Sequence, residues 1–344
     1  MKTRSVVLLC VLVLAVVIAL LFVRNMRMIR DAQESTSTQI TTGTTTASIA
    51  AGTYSKTIQS GGITRSYQIH IPTSYDSSQV VPLVFVIHGG GGNGKQILVG
   101  TKFDLKADAE KFIVVAPDGV DNNWNDGRGS TARGETTASV TQNDDVAFIK
   151  ELLLSIEQSY DIDTKRIYIT GVSNGAMMSQ RMICDAPGTF AAVGAMSGPM
   201  RTQTVETCKG TASVVGIQGT DDPFFPIEDG NGIPTFPLIL RRNAEQTVIT
   251  EAQIASIWVG KNSCNTNPTV SSLPTVVQDG TSVTKYTYMG CSNSTAVEYY
   301  IVKGMGHGWP PNTNAKTENL AGPTSGNINA TDVVWSFFKL HPKS

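Results

Sequence analysis

This chain lacks a surplus of either charge. Its 27 lysines and arginines meet 28 aspartates and glutamates, leaving a net charge of −1, and charged residues make up only 16% of the sequence. A protein that neutralises nucleic-acid phosphates needs a basic surplus, so no nucleic-acid partner is expected. Metal-ligand spacing is missing too. There is no C-x-x-C pair, and the four histidines (His70, His88, His307 and His341) do not cluster. Neither a metal nor a cofactor is expected. No internal repeat is visible.

What is present is apolar. Hydrophobic residues make up 40% of the 344, enough for a sizeable core. One stretch stands apart: Val6 to Val23 is an apolar run of 18 residues, flanked by Lys2 and Arg4 before it and Arg24, Arg27 and Arg30 after it. That length just suffices to cross a bilayer core as a helix. The run ends in Phe22-Val23-Arg24, not in a small-residue cleavage site, which favours an uncleaved signal-anchor over a cleaved signal peptide. Residues 1–30 are therefore read as an export segment that reaches a membrane if uncleaved. The Ser/Thr-rich residues 31–53 are read as a flexible linker, and 54–344 as one folded domain.

Four cysteines lie in that domain: Cys184, Cys208, Cys264 and Cys291. An even number beside an export signal suggests two disulfides and an extracellular or cell-surface location. Nearness in sequence favours Cys184 with Cys208 and Cys264 with Cys291, and two other connectivities remain open.

Pro82–Ile87 and Phe112–Ala116 are continuously apolar, as central parallel strands are, and Arg166–Thr170, Ala191–Met196 and Ser213–Gln218 read as further strands of the same sheet. Arg65–Ile71 alternates like an edge antiparallel strand. Val283–Met289 and Val297–Val302 add two more strands. Asp144-Asp145 can cap a helix running to Tyr160, and Thr247–Lys261 and Thr331–Leu340 read as helices. Strands alternating with helices predict an α/β fold: a doubly wound, mostly parallel sheet with helices on both faces.

The chemistry centres on Gly171-Val172-Ser173-Asn174-Gly175, set between a strand and a helix. A serine on such a sharp turn is pushed out at the sheet edge, where it can act as a nucleophile. Its base should be a histidine. His70 lies in a strand, His341 in the terminal tail and His88 at a strand end in a structural setting. That leaves His307, in the glycine-rich Gly304-Met305-Gly306-His307-Gly308-Trp309. An orienting carboxylate should follow the strand ending at Gln218, where Asp222 is preferred to Asp221. Ser, Asp, His is the chain order of α/β hydrolases. Two backbone N–H groups should stabilise the oxyanion: that of Asn174, and one from His88-Gly89-Gly90-Gly91-Gly92, where Gly90 is preferred and Gly89 is the alternative. The same glycine run nearly spells a phosphate-binding loop, but Gln96 stands where a hydroxyl should hold magnesium.

At this point the chain resembles a known family, the secreted polyhydroxybutyrate depolymerase and feruloyl esterase family of α/β hydrolases. The resemblance is carried by His88–Gly94, Ala116–Gly119, Asn143–Ile149, Gly171–Met178, Gly219–Pro223, Trp258 with Cys264, Gly290-Cys291, Gly306–Pro310 and the tail from Asn329 to Pro342. It covers nearly all of 54–344, in order. It implies Ser173 as nucleophile, His307 as base and the aspartate before Pro223 as orienter. It further implies hydrolysis of carboxylic esters through an acyl-enzyme: feruloyl or acetyl esters of plant polysaccharide, hydroxyalkanoate polyesters or oligomers, or small aryl esters. Family members often carry cysteine where Gly90 stands. Trp124, Trp309 and Phe224-Phe225 are expected as an aromatic, substrate-binding wall. Two rival functions on the same fold are a serine peptidase, which has no sequence support, and a catalytically silent binding protein, against which the intact Ser, Asp and His argue.

Overall fold

The computed structural model describes residues 50–127, 143–200, 202–225, 251–311 and 321–344. The Val6–Val23 run, most of the expected linker, the start of the expected 247–261 helix and much of the loops 121–142 and 224–246 lie outside the described residues. The elements follow as β1 (Gly52–Ser60), β2 (Ile63–Ile71), β3 (Val81–Ile87), α1 (Gly94–Thr101), α2 (Phe103–Glu110), β4 (Ile113–Pro117), α3 (Asp145–Ser159), β5 (Ile162–Val172), α4 (Asn174–Asp185), β6 (Ala192–Met196), α5 (Thr202–Thr207), β7 (Ser213–Gly219), α6 (Glu251–Lys261), β8 (Thr269–Ser272), β9 (Ser282–Tyr288), β10 (Val297–Lys303) and α7 (Ala330–Leu340).

The ten strands among the described residues join one sheet in the order β1-β2-β4-β3-β5-β6-β7-β10-β9-β8. The run from β4 to β10 is parallel, and antiparallel pairs flank it on both sides. The apolar runs form the middle: β3, β4, β6 and β7 are buried at every residue. Only strands covered on both faces can be apolar throughout without exposing that surface. One core packs α3, α4 and α6 on the sheet through residues such as Phe148, Met178 and Trp258. The other packs α1, α2 and α7 through Ile97, Phe103 and Trp335. This is the α/β-hydrolase arrangement expected from the sequence.

Two expectations need correction. Arg65–Ile71 is no edge, because β2 is paired over its nine residues, Ile63–Ile71, with β1. That strand also takes Gly52 and Thr53 out of the expected linker. Of the two aspartates, Asp144 caps α3 by accepting from Ala147 N, whereas Asp145 is fully buried and serves another purpose. The helices α1 and α2 follow directly on the glycine run: Asn93 caps α1 by accepting from Gln96 N.

The disulfides are Cys184–Cys208 and Cys264–Cys291, the connectivity that nearness in sequence favours. They mark an oxidising, extracellular setting. Among the described residues, no helix is long and apolar enough to cross a membrane.

Candidate active site

β5 delivers the chain to Ser173, and α4 carries it away. Ser173 itself sits at φ 57° and ψ −124°, a conformation that costs free energy in any residue with a side chain. The motif glycines make the turn sterically feasible. A Cβ on Gly175 would lie 2.2 Å from Ile87 O, and one on Gly171 would lie 2.6 Å from Gly175 C. No other residue fits at either position. Strand and helix therefore approach to backbone contact, and the serine is thrust out between them.

The next carboxyl ends along the sheet supply its neighbours. Asp222 follows β7 and is fully buried. Its Oδ1 accepts from the backbone N–H groups of Phe224 (2.8 Å) and Phe225 (2.9 Å). Its Oδ2 accepts from Gln218 Nε2 (3.0 Å) and from His307 Nδ1 (2.8 Å). Four donors on one carboxylate fix its plane. Asp221 instead is exposed and accepts from its neighbour Thr220 Oγ1. It is Asp222, not Asp221, that reaches His307.

His307 sits on the loop after β10. Its backbone N–H donates to Ala321 O (2.5 Å), and Gly306 N donates to Pro323 O (2.7 Å). With a carboxylate accepting at Nδ1, the proton resides there and Nε2 presents a lone pair. Among the described residues, no hydrogen bond joins His307 to Ser173 Oγ. Such bonds are often long before substrate binds.

The oxyanion candidates line the same edge. Asn174 opens α4, where backbone N–H groups have no helical acceptor. A Cβ on Gly89 would lie 3.3 Å from Ser173 Cβ, and one on Gly90 3.1 Å from Asn123 Oδ1 and 3.9 Å from Asn174 Cβ. The glycine loop thus lies against the serine turn. Asn174 also does something the sequence did not disclose. Its side chain accepts from Trp124 N (2.7 Å) and donates to Trp124 O (3.2 Å) and Asp126 Oδ2 (2.6 Å), lashing the loop after β4 to the start of α4.

His88 completes that lashing. Gly119 N donates to its Nε2 (2.9 Å), so the ring proton sits on Nδ1, which donates to Gly89 O (2.7 Å). Both ring nitrogens are committed. Burial pushes its pKa below the usual histidine value and keeps the ring neutral. Its role is structural, as expected.

The two tryptophans depart from expectation. Trp124 is fully buried, its ring 5.0 Å from that of His88 and its indole N–H donating to His88 O (2.9 Å). Trp309 is 5% exposed, packs edge-on against Phe103 and donates to Thr331 Oγ1 (3.0 Å). Each indole is core, with its N–H spent on protein. The aromatic rings beside the imidazole are Phe224, at 4.9 Å and 45% exposed, and Phe225, at 5.7 Å.

One long-range element behind the site carried no sequence signal. Arg65, on β2, pairs with the buried Asp145 (2.8 Å), lies over the Phe148 ring and donates to Asp118 O. Asp145 also accepts from Asn125 N (2.7 Å). This buried ion pair holds both ends of the 118–125 loop.

Comparisons with known proteins agree with this fold. Feruloyl esterase C of Emericella nidulans is 26% identical over 282 residues, covering 80% of this chain and 83% of that protein. The solved structure of an acetyl xylan esterase from Aspergillus awamori has the same fold. It aligns with a TM-score of 0.54 at 15% identity, covering 83% of this chain and 99% of that one. The family model described as Esterase PHB depolymerase matches residues 65–254, a span that takes in the glycine loop, the serine turn and Asp222. With more than half of its length matched and the α/β-hydrolase sheet beneath it, this chain belongs to the Esterase PHB depolymerase family and is a carboxylic ester hydrolase.

Proposed function

We propose that this esterase works through an acyl-enzyme on Ser173, with His307 as general base and Asp222 as its orienting carboxylate. The observation that carries the reading is the 2.8 Å hydrogen bond from His307 Nδ1 to the fully buried Asp222, at the sheet edge that also presents Ser173. His307 Nε2 takes the Ser173 proton as Oγ attacks the ester carbonyl. The oxyanion is met by the N–H groups of Asn174 and Gly90, with Gly89 the alternative to the latter. Collapse expels the alcohol, which receives the proton from His307. Water, deprotonated by the same imidazole, then releases the acid.

The substrates proposed are feruloyl or acetyl esters of plant polysaccharide, or hydroxyalkanoate esters. The names of the relatives and the family support these classes. The exposed Phe224 beside His307 suits an aromatic or apolar acyl group. Trp124 and Trp309 take no part in that wall. The domain acts outside the cell, and Val6–Val23 is proposed to deliver it there and, if uncleaved, to tether it to a membrane through the Ser/Thr-rich linker.

The test is hydrolysis of p-nitrophenyl butyrate by the wild type and by Ser173→Ala. Turnover in the first alone supports the reading and justifies comparing feruloyl, acetyl and hydroxybutyrate esters. Equal turnover in both refutes it.

A further inference from the structure

We propose that Ser197 is a positioning residue for the base: it grips Gly308, the residue after His307, by both backbone groups and so holds the imidazole at Ser173. The inference rests on the reading of Ser173, His307 and Asp222 given above. Ser197 follows β6, which lies in the sheet between β5, the strand leading to Ser173, and β7, the strand leading to Asp222. Its backbone is fixed on both sides. Ser197 N donates to Ile217 O on β7 (3.0 Å), and the preceding Met196 O accepts from Ser173 N (2.9 Å). From that anchorage its hydroxyl reaches 111 residues along the chain. The Oγ accepts from Gly308 N (3.1 Å) and donates to Gly308 O (3.2 Å).

Two features mark this as more than packing. Ser197 is fully buried, so no water competes for these bonds. It also adopts φ 48°, a left-handed conformation that favours glycine. Strain of this kind persists only where the surroundings over-determine it, and it gathers at functional sites. Here the strain aims a hydroxyl at the base-bearing loop. Gly308 itself has φ 151°, a value that favours glycine, and the chain bends where Ser197 takes hold. His307 is thereby held from three sides: by Ala321 O at its own N–H, by Asp222 at Nδ1, and by Ser197 through the next residue. With its hydroxyl spent on Gly308, Ser197 is not itself a nucleophile.

The experiment compares Ser197→Ala with Ser197→Gly. Both remove the hydroxyl, but glycine relieves the positive φ, so it melts higher than the alanine variant and supplies a folded protein. With p-nitrophenyl butyrate, both are expected to lower kcat about ten- to a hundredfold while KM stays within about twofold, the signature of a displaced base. Labelling of Ser173 by a fluorophosphonate, which needs the same base, should slow in proportion. Wild-type kcat in the glycine variant overturns the proposal. So does a loss of kcat confined to the less stable alanine variant, since that is a folding defect only. A wild type that fails to label at Ser173 would instead sink the underlying triad.

Discussion

His88 and His307 occupy similar sequence. Each lies beyond an apolar strand, at the edge of the sheet where Ser173 sits, and each precedes a glycine. They end in opposite states. His88 is 1% exposed and has both ring nitrogens bonded to backbone, one accepting from Gly119 N and one donating to Gly89 O. His307 has one nitrogen on a buried carboxylate and an exposed phenylalanine against its ring. A histidine becomes scaffold when protein answers both nitrogens. It becomes available for chemistry when one nitrogen is oriented and the other is left to meet a substrate. The sequence separates the two only by elimination; what each ring meets supplies the physical reason.

The sharpest way to break this contrast is to remove each imidazole and read activity and stability together. His307→Ala should lower kcat by on the order of 10⁴-fold while leaving the melting temperature nearly unchanged. An equal loss in Ser173→Ala, and no further loss in the double variant, would show the two acting as one unit. The His88 side should respond in the other currency. Its loop leans on the Arg65–Asp145 pair, and Arg65→Met would leave a buried carboxylate without its cation. We expect a loss of about 3–5 kcal/mol in denaturant unfolding at neutral pH. Burial already pushes Asp145 above the usual carboxylate range, and the Arg65 charge opposes that push. In the variant the folded-state pKa rises further. A raised folded pKa contributes stability that is lost as pH climbs through it, so the deficit should be larger at pH 8 than at pH 5.

Smaller again is the expected cost of His88→Ala, about 2–4 kcal/mol from lost packing and an unpaired Gly119 N–H. Unfolding midpoints would report it. Turnover per folded molecule should fall far less than in His307→Ala. A His88→Ala variant that stays stable but inactive would break the comparison. The smallest effect needs no mutation. The folded-state pKa of His88 lies below that of the unfolded chain. The unfolded state therefore binds more protons below about pH 6.5, and stability should decline as pH falls from there towards the folded value. Removing His88 should flatten that part of the pH–stability curve.

Much of this was legible in the sequence, for a definable reason. Central strands declare themselves because burial on both faces forces continuous apolar runs, as in Leu83–Ile87. Ser173 stands out as the candidate nucleophile because glycines lie two before and two after it; His307 is what remains of four histidines, and Asp222 is the preferred aspartate after the strand ending at Gln218, in an order that suits the fold. The disulfides followed from proximity. What was hidden depends on partners distant in sequence. β1 and β8 are largely exposed and carry Thr and Ser, so neither alternation nor hydrophobicity reveals them. Arg65 meets Asp145 80 residues away, and Ser197 meets Gly308 111 residues away. The tryptophans misled because an indole looks the same in a substrate wall as in a core. Only their buried partners, His88 O and Thr331 Oγ1, tell them apart.

What remains to be tested most directly is the proposed activation of Ser173 by His307, oriented by Asp222. The direct measurement is peptide mapping by mass spectrometry after fluorophosphonate treatment of the wild type and His307→Ala. The account predicts one adduct per molecule, on Ser173, formed rapidly in the wild type and barely at all in the variant. An adduct on another residue, or equal labelling rates in both proteins, would contradict it.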